Sequence, residues 1–382
     1  LAVVGVMVLF IAPLTPYIAV IQSRQRYYVE AVIGTVSKYA SLVAIVIWFS
    51  MVKPSVEAVI VIMAVALFLA RLAQVPIAYR LVPGLQNRLG LCNRKHLKLI
   101  VSFGGMVVLI GLCLTVNSAG IRWLMNSLAS TSFVAHLAIM LMPSILLSQI
   151  VTAATITVMP ATSAYAATGN QQMLQELLIY SMRYTMVLVL AALLIAVLLM
   201  RNVLNMWVGA EYVFLTPYAL LLFAGHSFML STSAGHHMLK GLGWLWSTVF
   251  ISMMGLVVVP IGLMWGVFSS RHNPYLAATA GLVAGNVVYG YLQIMFSSKA
   301  VHASLRRILL RVYVQPLVVA AATALVAFGL AIVFGFDSFL ARALMSVLAV
   351  LLLFGGCYAL ITTIDERRQI KAYISMAIDR FG

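Results

Sequence analysis

Five cations and one carboxylate stand out from an apolar background. Arg24, Arg26, Glu30 and Lys38 fall in the stretch QSRQRYYVEAVIGTVSK at 22–38; Arg71 lies inside the apolar run 56–79, and Arg183 opens the run 180–200. Guanidinium and ammonium groups bind phosphate through charge-assisted hydrogen bonds, arginine with a planar fork and lysine as a point charge. Lys38 lies about ten residues into its run, about 15 Å at 1.5 Å per residue, near the centre of a bilayer core about 30 Å thick. A lysine there costs at least about 2.5 kcal/mol, so it should face a bundle interior or a wet cavity. Arg26 and Glu30 form an i,i+4 pair, and Lys38 follows eight residues on. One stripe carrying all three toward a common cavity is expected. Arg71 either shares that cavity or snorkels to the basic end of its run, and Arg183 either lines it or anchors at the lipid headgroups.

The sign of these groups sets the ligand. The chain has eight acids, and Glu30 alone approaches the membrane interior; the others, such as Glu57, Glu176 and Glu211, fall at run ends or in connections. A cavity for cations needs buried carboxylates, whereas buried cations prefer an anion such as phosphate or pyrophosphate. His226 reads as a hydrogen-bonded packing residue. His236 and His237 read as part of a polar turn with no ligand set around them. Cys92, Cys113 and Cys357 are scattered, which indicates neither a disulfide framework nor a metal site. No metal or other cofactor is implied.

The elements that must position these groups are membrane helices. Only 8% of the residues are charged and 64% are hydrophobic, against about 25% charged in soluble domains. Eleven apolar runs recur, near 1–21, 29–50, 56–79, 98–116, 132–157, 180–200, 213–233, 244–268, 274–296, 312–335 and 339–363. The runs are continuous rather than alternating, so helices are required. The chain starts with Leu1, without a basic segment and cleavage site, so it is expected to begin inside a longer protein.

If the turn after the first run is cytoplasmic, seventeen of the 24 Lys and Arg fall on that side. Lys53, Arg122, Arg201, Arg271 and Arg342 fall on the other, and Lys38 and Arg71 lie within runs. That bias fixes the orientation and accounts for the net charge of +16 through inner-leaflet anionic lipids rather than nucleic acid. Residues 80–98 and 297–311 are basic and partly amphipathic and should lie on the inner surface. Runs one to three and seven to nine share an order, with Pro16-Tyr17 matching Pro217-Tyr218, an arrangement compatible with a duplicated transporter bundle. Prolines at 13, 16, 76, 143, 160, 260 and 316, and the glycine-rich GLVAGNVVYGY at 281–291, permit bending and close packing. HExxH, G-x-S-x-G and Walker A motifs are absent, and no enzymatic activity is expected.

Three stretches carry a resemblance. AVIQSRQRYYVEAVIGTVSKYASLVAIV (19–46) is similar to a Q-x-x-x-R-Y turn between two spans. VMPATSAYAATGNQQMLQELLIYSMRYTMVLVL (158–190) has a proline-ended span, a small-residue run, a Gly with a polar neighbour and a helix opening with an Arg-Tyr pair. LNMWVGAEYVFLTPYALLLFAG (204–225) has a Trp-x-Gly motif followed by a proline-opened span. In order and spacing these resemble the polysaccharide (O-antigen and teichoic-acid) flippases of the superfamily that also holds multidrug exporters and lipid II flippases.

The resemblance implies an all-α, polytopic membrane helix bundle with about eleven transmembrane helices here, in two pseudo-symmetric lobes plus two appended helices; the family's first three spans would be missing. Residues 1–79 would be the second half of the N-lobe, 80–97 a cytoplasmic amphipathic linker, and 98–296 the C-lobe. Residues 297–311 would be a cytoplasmic basic segment, 312–363 the two appended spans and 364–382 a cytoplasmic tail. The implied activity is moving a polyprenyl-pyrophosphate-linked oligosaccharide across the bacterial inner membrane for surface polysaccharide such as lipopolysaccharide O-antigen. Lys38 above all, with Arg24, Arg26, Arg71 and Arg183, would attract the pyrophosphate, and Glu30 would hold Arg26 or couple an ion. Implied partners are the lipid-linked oligosaccharide, anionic membrane lipids and other polysaccharide assembly proteins. The alternatives are a multidrug-type cation antiporter of the same fold, and an integral membrane polymerase or ligase. The latter needs a large outer loop, whereas the longest one expected here, near 117–131, is about fifteen residues long and carries only Arg122.

Overall fold

The computed structural model describes residues 10–24, 26–53, 55–85, 93–334, 339–360 and 362. Residues 1–9 of the first expected span, Arg88, Cys92 and the tail 364–382 lie outside the described residues. Among the described residues there is no strand, and ten helical stretches are long and apolar enough to cross a membrane, from Tyr28–Met51 to Phe339–Leu360. The protein is a polytopic membrane helix bundle.

The chain divides into two compact units, Leu1–Arg94 and Lys95–Gly382. In the first, a short helix α1 (Thr15–Ser23) is followed by α2 (Tyr27–Met51) and α3 (Val56–Leu81). Ser55 caps α3 by accepting from the Ala58 N–H at 3.2 Å, which satisfies one of the helix's orphan donors. Ile18 and Ile21 of α1 and Ala70, Gln74 and Ala78 of α3 are the buried positions. Ala70 and Ala78, small and two turns apart on α3, let its neighbours approach closely. Ser37 Oγ on α2 donates to the Ala66 carbonyl at 2.9 Å, fastening α2 to α3.

The second unit opens with α4 (Arg94–Thr115), a π-helical segment (Val116–Gly120) and α5 (Ile121–Leu128) in continuous sequence. The expected outer loop at 117–131 is therefore mostly helix, and Arg122 lies on α5; the turn shrinks to the residues around Ser130. Then come α6 (Thr131–Thr155), α7 (Val158–Ala167), α8 (Gln171–Trp207), a 3-10 turn (Ala210–Leu215), α9 (Thr216–Ser231) and α10 (Ser233–Gly241). His236 and His237 lie on α10, a helix rather than the expected polar turn, and His236 Nδ1 pairs with the Tyr289 hydroxyl at 3.0 Å. The unit closes with α11 (Leu245–Met253), a π segment (Met254–Val258), α12 (Val259–Arg271), α13 (Pro274–Ala300), α14 (Leu305–Ile308), a π segment (Leu309–Val314), α15 (Gln315–Phe334) and α16 (Phe339–Leu360). The basic segment expected at 297–311 is not a separate surface element. It completes α13, turns at 301–304 and begins the next span.

Helix α8 organises this unit. At 37 residues it is about 55 Å long. Its first half packs into a cluster with Met238, Ile294, Val312 and Leu353, and its second half into one with Leu137, Met140, Leu222 and Met264. Two of the π segments end just before a proline. Pro260 has no N–H for the Leu256 carbonyl four residues back, and the helix widens over 254–258, as such a defect allows. Asn117 Nδ2 on the first π segment donates to that Leu256 carbonyl at 2.9 Å. Pro316 follows the third π segment in the same way. Gly285 on α13 lies against this bend: a Cβ there would stand 2.4 Å from the Gly255 carbonyl oxygen and 2.4 Å from Pro260 Cγ.

Candidate functional site

In the first unit, α1, α2 and α3 each contribute to one polar cluster. Glu30, on the first turn of α2, accepts from Gln22 Nε2 of α1 at 2.7 Å through Oε2. Its Oε1 lies 3.9 Å from Arg71 Nη1 of α3. The same Arg71 nitrogen donates to Gln74 Oε1 at 3.4 Å, and three residues' spacing places both side chains on one face of α3. Gln74 is 2% exposed, while the side chains of Arg71 and Glu30 are 26% and 32% exposed. Arg71 Nε is buried with no hydrogen-bond partner. Two turns further along α3, the Tyr79 hydroxyl meets the Tyr17 hydroxyl at 3.5 Å.

Arg71 stands ten residues before the end of α3 at Leu81, about 15 Å along its axis. A lone guanidinium at that depth is costly, and Glu30 and Gln74 offset the cost while fixing its orientation. A guanidinium carries five N–H donors, and these two partners leave Nε–H among those unused. The arrangement presents a held cation with donating capacity beside one carboxylate.

The remaining expected residues are placed elsewhere. Lys38 is on an exposed face of α2 and does not join the cluster. Eight residues at 100° each leave it about 80° around the helix from Glu30, so the anticipated common stripe does not form. Arg26 is exposed and donates to the Tyr28 hydroxyl at 3.3 Å; it does not pair with Glu30, whose partners are Gln22 and Arg71. Arg24 is exposed at the bend between α1 and α2. Arg183 belongs to the second unit, where it is buried at 4% exposure. Its guanidinium carbon lies 5.2 Å and 5.3 Å from the ring centres of Tyr180 and Tyr184, a cation–π arrangement. His226 pairs through Nε2 with Ser148 Oγ at 2.8 Å. Gln22 and Gln74 escaped the sequence reading, because neutral amides carry no charge signal; the i,i+3 spacing of Arg71 and Gln74 was the available clue.

Two solved structures are similar to this chain. A structure of the lipid II flippase MurJ in an inward closed conformation covers 92% of this chain and 72% of its own, with a TM-score of 0.62 and 11% identity. The chain shares its fold with that flippase. A crystal structure of a MATE in complex with MaL6 covers 65% of this chain, with a TM-score of 0.54 and 14% identity; the chain spans 57% of its length. No family model and no curated protein sequence matches. The MurJ likeness spans almost the whole chain and the MATE likeness about two thirds of it, so an architecture of these two kinds is held without close sequence similarity.

Proposed function

We propose that the chain moves a polyprenyl-pyrophosphate-linked oligosaccharide from the inner to the outer leaflet of a bacterial inner membrane by alternating access, serving surface polysaccharide assembly. The observation that carries this reading is Arg71, a guanidinium held well inside an apolar helix by Glu30 and Gln74 with its Nε still unpartnered. The fold likeness to a lipid II flippase supports it. So does the balance of 24 Lys and Arg against eight acids, which disfavours a cationic cargo. Arg24, Arg26 and Lys38, exposed on the first unit, draw the anion in by long-range attraction. Arg71 then receives the pyrophosphate, and Glu30 either releases the guanidinium to it or takes up a coupling ion. Arg183, covered by two tyrosines, holds the packing of α8 and meets cargo only if that cover is withdrawn.

A cation antiporter would draw on the MATE likeness and on Glu30. Glu30 already faces Gln22 and the Arg71 guanidinium, so a cationic cargo would have to displace a fixed positive charge to reach it.

The test is Arg71→Gln and Arg71→Lys in cells whose surface polysaccharide depends on this protein. Gln should leave lipid-linked oligosaccharide on the inner leaflet, and Lys should retain part of the export. Normal surface polysaccharide with Gln overturns the reading. Transport of an organic cation that is abolished by Glu30→Gln, with polysaccharide unaffected, overturns the flippase reading.

A further inference from the structure

We propose that Tyr212, Phe214, Tyr218 and Tyr275 form a sugar-stacking site at the outer end of the second unit. The Trp207-Val208-Gly209 motif ends α8 and launches the segment that carries two of these rings. Gly209 adopts a φ of 114°, a conformation open mainly to glycine, and the chain turns there into the 3-10 segment holding Glu211, Tyr212 and Phe214. The Glu211 carboxylate folds back over Gly209, where a Cβ would stand 2.6 Å from its Oε2. Tyr275, on the first turn of α13, is the hub. Its ring centre lies 5.8 Å from that of Phe214 and 5.4 Å from that of Tyr218. Behind it, buried Phe133 meets the ring edge-on at 5.0 Å, and His136 pairs through Nδ1 with the Tyr275 hydroxyl at 2.6 Å. His136 also meets Tyr212 and Phe214, each at 5.7 Å between ring centres.

These rings are held on one side and open on the other. Tyr212, Tyr218 and Tyr275 pack on the core cluster that contains Phe133 and Leu137 yet stay half-exposed, and Phe214 is 51% exposed. A pyranose presents a face of C–H bonds rimmed by hydroxyls. Aromatic faces flanked by polar groups match it, and rings fixed in advance bind with little loss of rotamer freedom. Here Tyr212 and Tyr218 bring hydroxyls, and exposed Glu211 brings a carboxylate that accepts from sugar hydroxyls and disfavours an anionic sugar. An aromatic belt at the membrane interface does not account for the cluster. Belt rings are spread singly around a bundle, as Trp123 and Trp207 are, 74% and 52% exposed. In the cluster, rings from α6, the 3-10 turn, α9 and α13 converge, and an imidazole holds the hub.

The level in the membrane is set by α8. Gln171 and Gln175 at its start donate to the Val301 carbonyl at 2.6 Å and 3.1 Å, in the turn that leads to Arg306, Arg307 and Arg311. By the distribution of Lys and Arg, that basic side faces the inner leaflet. From Gln175 to Trp207 is about 48 Å along the axis, enough to cross a bilayer with its headgroup layers. The rings therefore stand at the outer headgroup level, where the sugar of a translocated lipid emerges into water.

The ligand class is a neutral pyranose of an oligosaccharide. Its identification with the sugar of the cargo rests on the flippase reading, so binding is measured with free sugars and without transport. The purified protein, in a detergent that carries no sugar head, is titrated with chitobiose, cellobiose, mannobiose and rhamnose, and binding is read by saturation-transfer NMR. At least one sugar should bind, with saturation concentrated on its ring C–H protons. Phe214→Ala and Tyr218→Ala should each weaken that binding about tenfold, a loss of about 1.4 kcal/mol. Phe214→Tyr should retain it, and Trp123→Leu, which removes an exposed ring outside the cluster, should change nothing. Phe214 is half-exposed, so its variant should melt near the wild-type temperature and tests the site even where Tyr218→Ala folds poorly. Failure of all four sugars to bind the wild-type chain, unchanged affinity in Phe214→Ala, or an equal loss in Trp123→Leu overturns the site. Ring-dependent sugar binding by a chain that moves no lipid-linked oligosaccharide retains the site and overturns the flippase reading alone. Translocation without ring-dependent sugar binding overturns the site alone.

Discussion

Replacing Arg71 by Gln separates two roles that its geometry combines. The ion pair with Glu30 spans 3.9 Å, which at an effective dielectric of about 20 corresponds to about 4 kcal/mol of gross attraction. Both side chains are a quarter to a third exposed, so solvent screening should bring the net stabilisation down to about 1 kcal/mol. A guanidinium–phosphate hydrogen bond is worth about 1.5–3 kcal/mol, which is about tenfold to 150-fold in binding. Arg71→Gln should therefore lower the melting temperature only slightly while cutting translocation at least tenfold. Glu30→Gln should remove the same ion pair at a similar small cost. The informative variant is Glu30→Gln with Arg71→Gln, which leaves no unpaired carboxylate in the cluster. The assay is translocation of a polyprenyl-pyrophosphate oligosaccharide in proteoliposomes, read by accessibility of its sugar to an added glycosidase, alongside thermal melting. If Arg71 receives the pyrophosphate, the double variant recovers stability but stays at the rate of Arg71→Gln. Translocation at the wild-type rate in the double variant would mean that Arg71 serves only to satisfy Glu30, and the assignment of Arg71 to cargo would fall.

The packing around the proline-linked bend gives two further expectations. Gly285→Ala places a methyl 2.4 Å from the Gly255 carbonyl oxygen and Pro260 Cγ, an overpacking worth about 1–3 kcal/mol. It should lower thermal stability clearly, whereas Gly262→Ala, with nothing within 4 Å of the added atom, should be neutral or slightly stabilising. Asn117→Leu removes the amide that satisfies the Leu256 carbonyl, leaving a backbone acceptor unpaired at a cost of about 1–3 kcal/mol. Melting in detergent should show that loss, and Asn117→Gln should recover part of it if its longer amide still reaches the carbonyl.

Membrane helices are legible in one dimension, because the length and polarity of a run decide whether it can cross a bilayer. Ten of the eleven runs correspond to described helices for that reason. The exceptions arise where a polar residue answers to a distant partner. Asn117, Ser118 and Gly120 have the composition of a loop, but Asn117 is helical because a carbonyl released by a proline 143 residues downstream needs its amide. His236 resembles a turn residue, but it sits on α10 because Tyr289 of α13 meets its ring. The charges behave in the same way. The sequence contains Arg26, Glu30, Lys38 and Arg71, and simple helical arithmetic already sets Lys38 about 80° from Glu30. It does not reveal that Glu30 turns to Arg71 on another helix and not to Arg26 one turn away. Local spacing offers Glu30 one cation, and packing offers another in a drier place, where an unpaired charge costs more. The drier partner wins, so the residue best placed to meet an anion is the one whose partner had to be found in three dimensions.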